Sequence, residues 1–386
     1  MFSRQIARCS LFVLCLSGIG NAQYVNPLKG DLGVHDPVLI KEQATGTYRI
    51  YCTGMRIGSK TSSDRITWRS ASSGLNSPGW VSTEVPANNG SDFWAPDIMF
   101  RDNKYWLYYS VSTFGKNTSA IGLATSPTLS SPNWTDQGVV VKSTSSDNYN
   151  CIDPAIFEDD DGKVWLSFGS FWSGIKLVEC DPATGKPSST RPELISLANH
   201  RQGIEAPYIC KWGYYYLFVS WDKCCDGCNS TYKIVVGRSD NIKGPYVDKD
   251  GIDMLDGGGV ILDTGDEVRK GPGHNGIFID NDTLFCVNHY YACNSLLQIR
   301  PLYFDDGWPS FTGTVTGAPM VGVTRAATGG ISKCSRKTRV AFPFAGSSAP
   351  GPDQKLYTIT GKAIPASRCG RQRSVPQGIV IIESRR

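Results

Sequence analysis

The sequence predicts an all-β chain folded as a five-bladed β-propeller with a basic C-terminal extension. The first observation is a strand–turn–strand unit that recurs along the chain. It reads "VHDPVLIKEQATGTYRIYCTG", "FWAPDIMFRDNKYWLYYSVS", "CIDPAIFEDDDGKVWLSFGS", "GIEAPYICKWGYYYLFVSW" and, more weakly, "GPGHNGIFIDNDTLFCVNHYY". The second is the spacing. The leading residues Asp36, Asp97, Asp153, Glu205 and His274 stand 61, 56, 52 and 69 residues apart, and repeats of that length, each holding several strands, mean a propeller. The third is a composition of 11% aromatic and only 19% charged residues, rich in Gly, Trp and Tyr. That composition favours a globular β protein with large stacking surfaces over a disordered or coiled-coil chain.

Taken from the N-terminus, residues 1–22 read as a secretory signal peptide. Arg4 and Arg8 supply the positive end, Leu11–Ile19 the apolar stretch, and Gly20-Asn21-Ala22 a small-residue cleavage site before Gln23. Residues 23–313 hold the propeller. Each blade opens with a polar residue beside Pro or Gly, then a short apolar strand, a turn rich in Asp, Asn or Gly, and an aromatic second strand. Stretches such as "SAIGLATSPTL" and "YKIVVGRSDNI" supply outer strands. Residues 314–386 carry twelve Lys/Arg against two acids, while residues 23–313 carry 25 bases and 33 acids, net −8. The near-neutral whole thus hides an acidic body, which argues against nucleic acid as a partner. The basic tail is Gly-, Ser-, Ala- and Pro-rich and weakly periodic, and reads as a flexible extension, with a small C-terminal module as the alternative. No internal apolar run approaches a membrane span.

A secreted chain admits disulfides and glycans. Removing Cys9 and Cys15 with the signal leaves eleven of the 13 cysteines, so at least one is unpaired or pairs with another molecule. Cys224, Cys225 and Cys228 cluster without a second Cys/His pair at finger spacing, which sets zinc aside. A bridge involving the cluster is expected, the adjacent pair being one choice. Five sequons stand at Asn89, Asn117, Asn133, Asn229 and Asn281.

The leading residues carry the chemistry. The first strand of each propeller blade lines a central channel, so a residue at its mouth points toward the axis. Asp36, Asp153 and Glu205 would therefore share one small cavity with His274. Crowded carboxylates repel and shift one another's pKa values, an arrangement that needs a use. Two carboxyls across a cleft are the machinery of glycoside hydrolysis, one protonated and one ionised. Trp94, Phe114, Trp172 and Trp221 would supply rings on which sugar faces stack.

These residues resemble a known family. "VHDPVLI", "FWAPDI", "YYSVSTFG", "YNCIDPAIF", "LSFGSFWSGI", "IEAPY", "YYYLFVSWDKCCDG" and "GPGHNG" are similar, in order from about Gly33 to Trp308, to secreted endo-α-1,5-L-arabinanases of glycoside hydrolase family 43. The resemblance implies an inverting enzyme that cuts arabinan of plant walls. Asp36 would be the general base, Glu205 the general acid, and an ionised Asp153 would tune and orient the acid. His274 would help hold a central ion, often calcium, mainly through waters. Asp97 lies one residue out of phase and is expected to hold either substrate or structure. Asn150 and Ser170 match positions flanking a sugar subsite. Cys228 and the tail depart from the family pattern. An exo-acting arabinofuranosidase or xylosidase of the same fold, and a sugar-binding propeller without catalysis, are the alternatives. A monomer is expected, with arabinan as partner and no nucleic acid or membrane.

Overall fold

The computed structural model describes residues 26–189 and 191–312, together with the backbone of Gln354–Tyr357, Ala363–Ile364 and Ile381–Ser384. The expected signal peptide lies outside the described residues, as does most of the basic extension; the three short C-terminal strands pair with one another.

Five antiparallel sheets form the body. Their innermost strands are Val38–Lys41, Asp92–Arg101, Ala155–Glu158, Ile204–Trp212 and Lys270–Asp280. Each packs beside the next, and the last packs back against the first, so the five close a ring. Behind them stand the second strands Tyr48–Cys52, Lys104–Val111, Val164–Phe168, Tyr214–Trp221 and Thr283–Ala292. Turn chemistry sets these hairpins. Asp102 and Asn103 (φ 50° and 57°) link the closing pair Arg101 and Lys104, and Asn281 and Asp282 (φ 47° and 62°) link Asp280 and Thr283. Two successive positive-φ residues match the twist of the flanking strands.

The blades bury both faces, which is why their strands are almost continuously apolar instead of alternating. Along Lys104–Val111, Tyr105, Leu107 and Tyr109 pack toward the first blade, while Trp106 and Tyr108 pack toward the third. Five apolar clusters fill the five interfaces between neighbouring blades. The ring closes through the N-terminal segment. Lys29–Gly30 runs parallel to the outer edge Thr67–Ala71 of blade one. Asn26 Nδ2 then donates to Leu297 O of blade five, and Leu297 N donates back to Leu32 O of the N-terminal segment. Gly30 (φ 86°) allows this approach, since a Cβ there would lie 2.2 Å from Trp68 O.

Trp68, fully buried, sits in the cluster joining the first and last blades. Trp68→Ala is expected to cost about 3–5 kcal/mol of stability, measurable as a lowered denaturant midpoint.

Candidate active site

The geometry that gathers the functional groups repeats around the ring. At the channel end of each inner strand, just before it or at a bulge in its first half, one residue, the strand head, has positive φ: Asp36 (52°), Ala95 (33°), Asp153 (58°), Ala206 (55°) and His274 (49°). A Pro follows the first four. Their backbone N–H groups are received by the preceding blade. Ala95 N donates to Thr53 Oγ1 (2.8 Å), Asp153 N to Ser110 Oγ (3.0 Å), His274 N to Ser220 Oγ (2.8 Å) and Asp36 N to His289 Nδ1 (3.1 Å). Each acceptor ends a second strand. Only between blades three and four does the pattern change. There Ala206 N donates to the carboxylate of Asp153 (Oδ2, 3.0 Å), itself a strand head. Positive φ costs a non-glycine residue energy, and these bonds offset it.

The structural repeat therefore corrects the phase read from the sequence. Asp36, Asp153 and His274 are equivalent, but Glu205 stands one residue before its strand head and Asp97 two after. A bulge between Glu205 and Tyr208 turns Glu205 into the channel. Asp97 is buried outside the cleft, and its Oδ2 accepts the backbone N–H of Ile156, tying blade two to blade three. Trp221 is a second correction: it stacks face to face on His200 (4.0 Å, 3°) and belongs to the core between blades three and four.

A cleft of about 1060 Å³ opens over the channel mouth, and Asp36, Asp153, Glu205 and His274 lie together on its floor. Trp94, Phe114, Asn150, Ser170 and Trp172 line it, joined by Phe171. Phe114 is 79% exposed, a ring held in solvent. The Trp94 indole is aimed by its Nε1–H on Asp92 Oδ2 (2.9 Å), and Asn150 Oδ1 accepts from Ser119 Oγ (2.7 Å). The opposite wall holds Lys223, the adjacent disulfide Cys224–Cys225 and Cys293, which is bridged to Cys228. Cys52, Cys151, Cys180 and Cys286 are free and buried.

The three carboxyls experience different surroundings. Burial disfavours charge on Asp36, but His35 Nδ1 at 2.8 Å and His274 Nδ1 at 3.1 Å more than offset it, and Thr53 Oγ1 donates at 2.6 Å. Its carboxyl stays well below the usual range. Burial likewise lowers His274, yet Asp36 outweighs this and carries the imidazole up to about 9. Asp153 and Glu205 have no such cation against them. Burial, then the negative charge of its neighbours against the partial relief from His274, leaves Asp153 raised to about 8. Burial raises Glu205 as well, although Tyr232 Oη and Ser170 Oγ each donate to it at 2.7 Å. Asp153 is therefore not the freely ionised carboxylate expected from the sequence, because burial outweighs its donors. The two acids titrate as one pair that retains a proton at neutral pH.

His35, Thr53, Tyr232 and His289 are site residues that the sequence reading missed. His35 carried a signal, standing beside Asp36. Thr53 directly follows a second strand and His289 lies in one, and both are found through the inter-blade bonds. Tyr232, beside the third strand of blade four, is found through its bond to Glu205 in the same blade.

This is an open cleft with one carboxyl lowered by two imidazoles and two carboxyls raised by burial on its floor, and residues 24–309 match the glycosyl hydrolases family 43. The chain belongs to glycoside hydrolase family 43. It is similar to the extracellular endo-alpha-(1->5)-L-arabinanase 1 of Bacillus subtilis, 49% identical over 72% of this chain and 87% of that protein. It is also similar to an extracellular exo-alpha-(1->5)-L-arabinofuranosidase of Cellvibrio japonicus, 41% identical over 78% and 90%. Among solved structures, the family 43 endo-arabinanase from Bacillus licheniformis superposes with a TM-score of 0.69 at 47% identity, covering 74% of this chain and all of that one. The Cellvibrio cellulosa alpha-L-arabinanase complexed with arabinohexaose gives 0.69 at 40%, over 73% and 96%. As a family 43 member the protein is a glycoside hydrolase.

The pKa directions fix the sign of its pH dependence. A general acid works protonated, and burial raises both Asp153, to about 8, and Glu205, so kcat/KM is expected to hold through neutral pH and fall at alkaline pH. Asp36 is lowered, so no loss on its account is expected in mildly acidic buffer. A pH–rate profile of hydrolysis checks both limbs.

Proposed function

We propose that the protein is a secreted, inverting endo-α-1,5-L-arabinanase that acts as a monomer on plant-wall arabinan. One observation carries the reading: Asp36, held between two imidazoles, and the buried carboxyls Asp153 and Glu205, which lack such partners, share the floor of an open cleft walled by rings. Environments that push carboxyl pKa values apart assign base and acid. Asp36 takes a proton from water as that water attacks the anomeric carbon, and Glu205 protonates the departing oxygen. Asp153, through the Ala206 N–H, fixes the backbone beside Glu205. Trp94, Phe114 and Trp172 offer faces to furanose rings, with Asn150 nearby as a hydrogen-bonding group. Inversion calls for acid and base oxygens roughly 6.5–9.5 Å apart, leaving room for the water.

Endo cutting suits a cleft open to solvent, and several similar proteins are named endo-arabinanases. The exo reading has its own support in the Cellvibrio japonicus relative. Secretion is supported by relatives named extracellular and by two disulfides, which persist in oxidising compartments. Four of the sequons are exposed; Asn117 is not, since its Nδ2 is buried and donates to Asp147 O and Tyr149 O. All the groups proposed for catalysis come from one chain, which supports a monomer.

A cation in the channel fits the residues present. His274 donates through Nδ1 to Asp36, and an ion bound at Nε2 would replace the proton that this nitrogen otherwise carries, giving the usual carboxylate–histidine arrangement. Asn275 Oδ1 and Nδ2 and His289 Nε2 are buried without a hydrogen-bond partner. A hard ion such as calcium prefers oxygen ligands, so His274 and Asn275 would hold it with its waters. Such an ion would supply positive charge that keeps the axial acids ordered.

On debranched arabinan an early ladder of oligomers is expected, and arabinose alone would establish the exo reading. NMR of the nascent product should show inversion at the anomeric carbon; retention would overturn the mechanism. Removal of calcium with EDTA is expected to lower the melting temperature and activity together, and unchanged values would remove the ion from the proposal.

A further inference from the structure

The wall opposite the aromatic rings is built with more constraint than a loop in solvent requires. The segment joining the second and third strands of blade four carries two disulfides within a few residues, Cys224–Cys225 and Cys228–Cys293. Cys225 is held at φ 67°. Its backbone N–H donates to Tyr291 Oη at 2.9 Å, and its Sγ lies 3.8 Å from His35 Nε2. Tyr291 Oη is in turn 2.7 Å from His35 Nε2. His35 Nδ1 reaches Asp36 Oδ2 at 2.8 Å. An unbroken line of hydrogen bonds therefore runs from the disulfide ring to the proposed general base.

We propose that Tyr291 is a positioning residue for the hydrolysis, transmitting the rigidity of the Cys224–Cys225 ring through His35 to the Asp36 carboxylate. The proposal rests on the reading of Asp36 as the base. His35 stacks on His289 at 4.1 Å, which fixes the plane of its ring. Stacking resists sliding within that plane only weakly, because dispersion contacts change little with small lateral shifts. Directional bonds at both ring nitrogens are what locate the imidazole along the plane. One of those bonds belongs to Asp36, the group being positioned, so the reference must come from the other side. Tyr291 supplies it. Its hydroxyl is fixed in turn by the Cys225 N–H, which a closed ring of two adjacent cysteines holds in place. A base that must aim a water at carbon tolerates little displacement, so the chain acts on turnover and not on substrate affinity.

The test uses the full-length secreted protein on arabinan oligomers. Tyr291→Phe removes the hydroxyl and keeps the ring; kcat is expected to fall about tenfold with KM within about twofold. Opening the disulfide with a phosphine reductant should give a comparable loss, and the loss should persist in the Cys228→Ser/Cys293→Ser variant, where the other bridge is absent. Because one chain is interrupted in both cases, reducing the Tyr291→Phe protein should add little to the loss already present. An unchanged kcat in Tyr291→Phe, a loss confined to KM, or losses that multiply would each overturn the proposal. Asp36→Asn serves as the reference. If it is inactive while Tyr291→Phe keeps full kcat, only the positioning chain fails; if it retains turnover, the base assignment fails and the chain with it.

Discussion

The site depends on five backbone N–H groups bonded across blade boundaries at the mouth of the channel. Each heads an inner strand in a conformation that most residues avoid, and each is held there by a side chain of the preceding blade. Without that partner the strand head would relax to an extended backbone and carry its side chain off the axis. The bond thus does two jobs, joining neighbouring blades and pointing a functional group inward. It also explains why Thr53, Ser110 and Ser220 are small hydroxyl residues at the ends of otherwise apolar strands. Where blade three meets blade four, a carboxylate replaces the hydroxyl, and the acid Glu205 sits next to the bond it makes. The ring is symmetric for structure and departs from symmetry where chemistry is done.

Desolvation alone would raise all three axial carboxyls, so their difference needs another cause. Asp36 has an imidazole on each oxygen and a threonine hydroxyl besides. Glu205 has two neutral hydroxyls, and Asp153 a backbone N–H. Charged donors contribute roughly twice what neutral ones do, and at these distances the imidazoles overcome burial where hydroxyls and amides do not. The reciprocal effect appears on His274, which stays protonated because Asp36 stays charged. The proposed base and acid would therefore be specified by their neighbours; nothing intrinsic separates Asp from Glu here.

Much of this was legible in the sequence, and the failures are instructive. Blade number followed from repeat spacing because a strand pair buried on both faces leaves a long apolar signature with a turn at its centre. The axial trio followed because polar residues are conspicuous at the head of such strands. The phase of two repeats was misjudged, since the eye aligns acids while the backbone aligns the residue before proline: Ala95 and Ala206 are the true counterparts of Asp36 and Asp153. Trp221 was assigned to the cleft because it ends a strand near the acids, but the last residue of a second strand can turn into the blade interface, where it meets His200. His289 is hidden inside an aromatic run that reads as core, and Tyr232 directly precedes an outer strand with nothing in its local sequence to mark it. The Cys228–Cys293 bridge spans 65 residues and joins loops of blades four and five that only the packing of neighbouring blades brings together.

On the proposed reading, the cleft's two walls would divide the task of holding a neutral, flexible sugar chain. One side offers exposed rings, whose apolar faces would accept furanose without demanding one hydroxyl pattern. Phe171 and Trp172 belong there, both at positive φ in a tight turn directly after Ser170, so the loop that presents the rings also delivers a hydroxyl to Glu205. The other side, where Lys223, Asn294 and Ser295 also line the cleft, is cross-linked twice and bonded back to Asp36. A wall of rings that accepts many registers, set against a stiff one that fixes the proposed base, would let a polymer bind loosely along its length while a single linkage meets water and acid in a defined geometry.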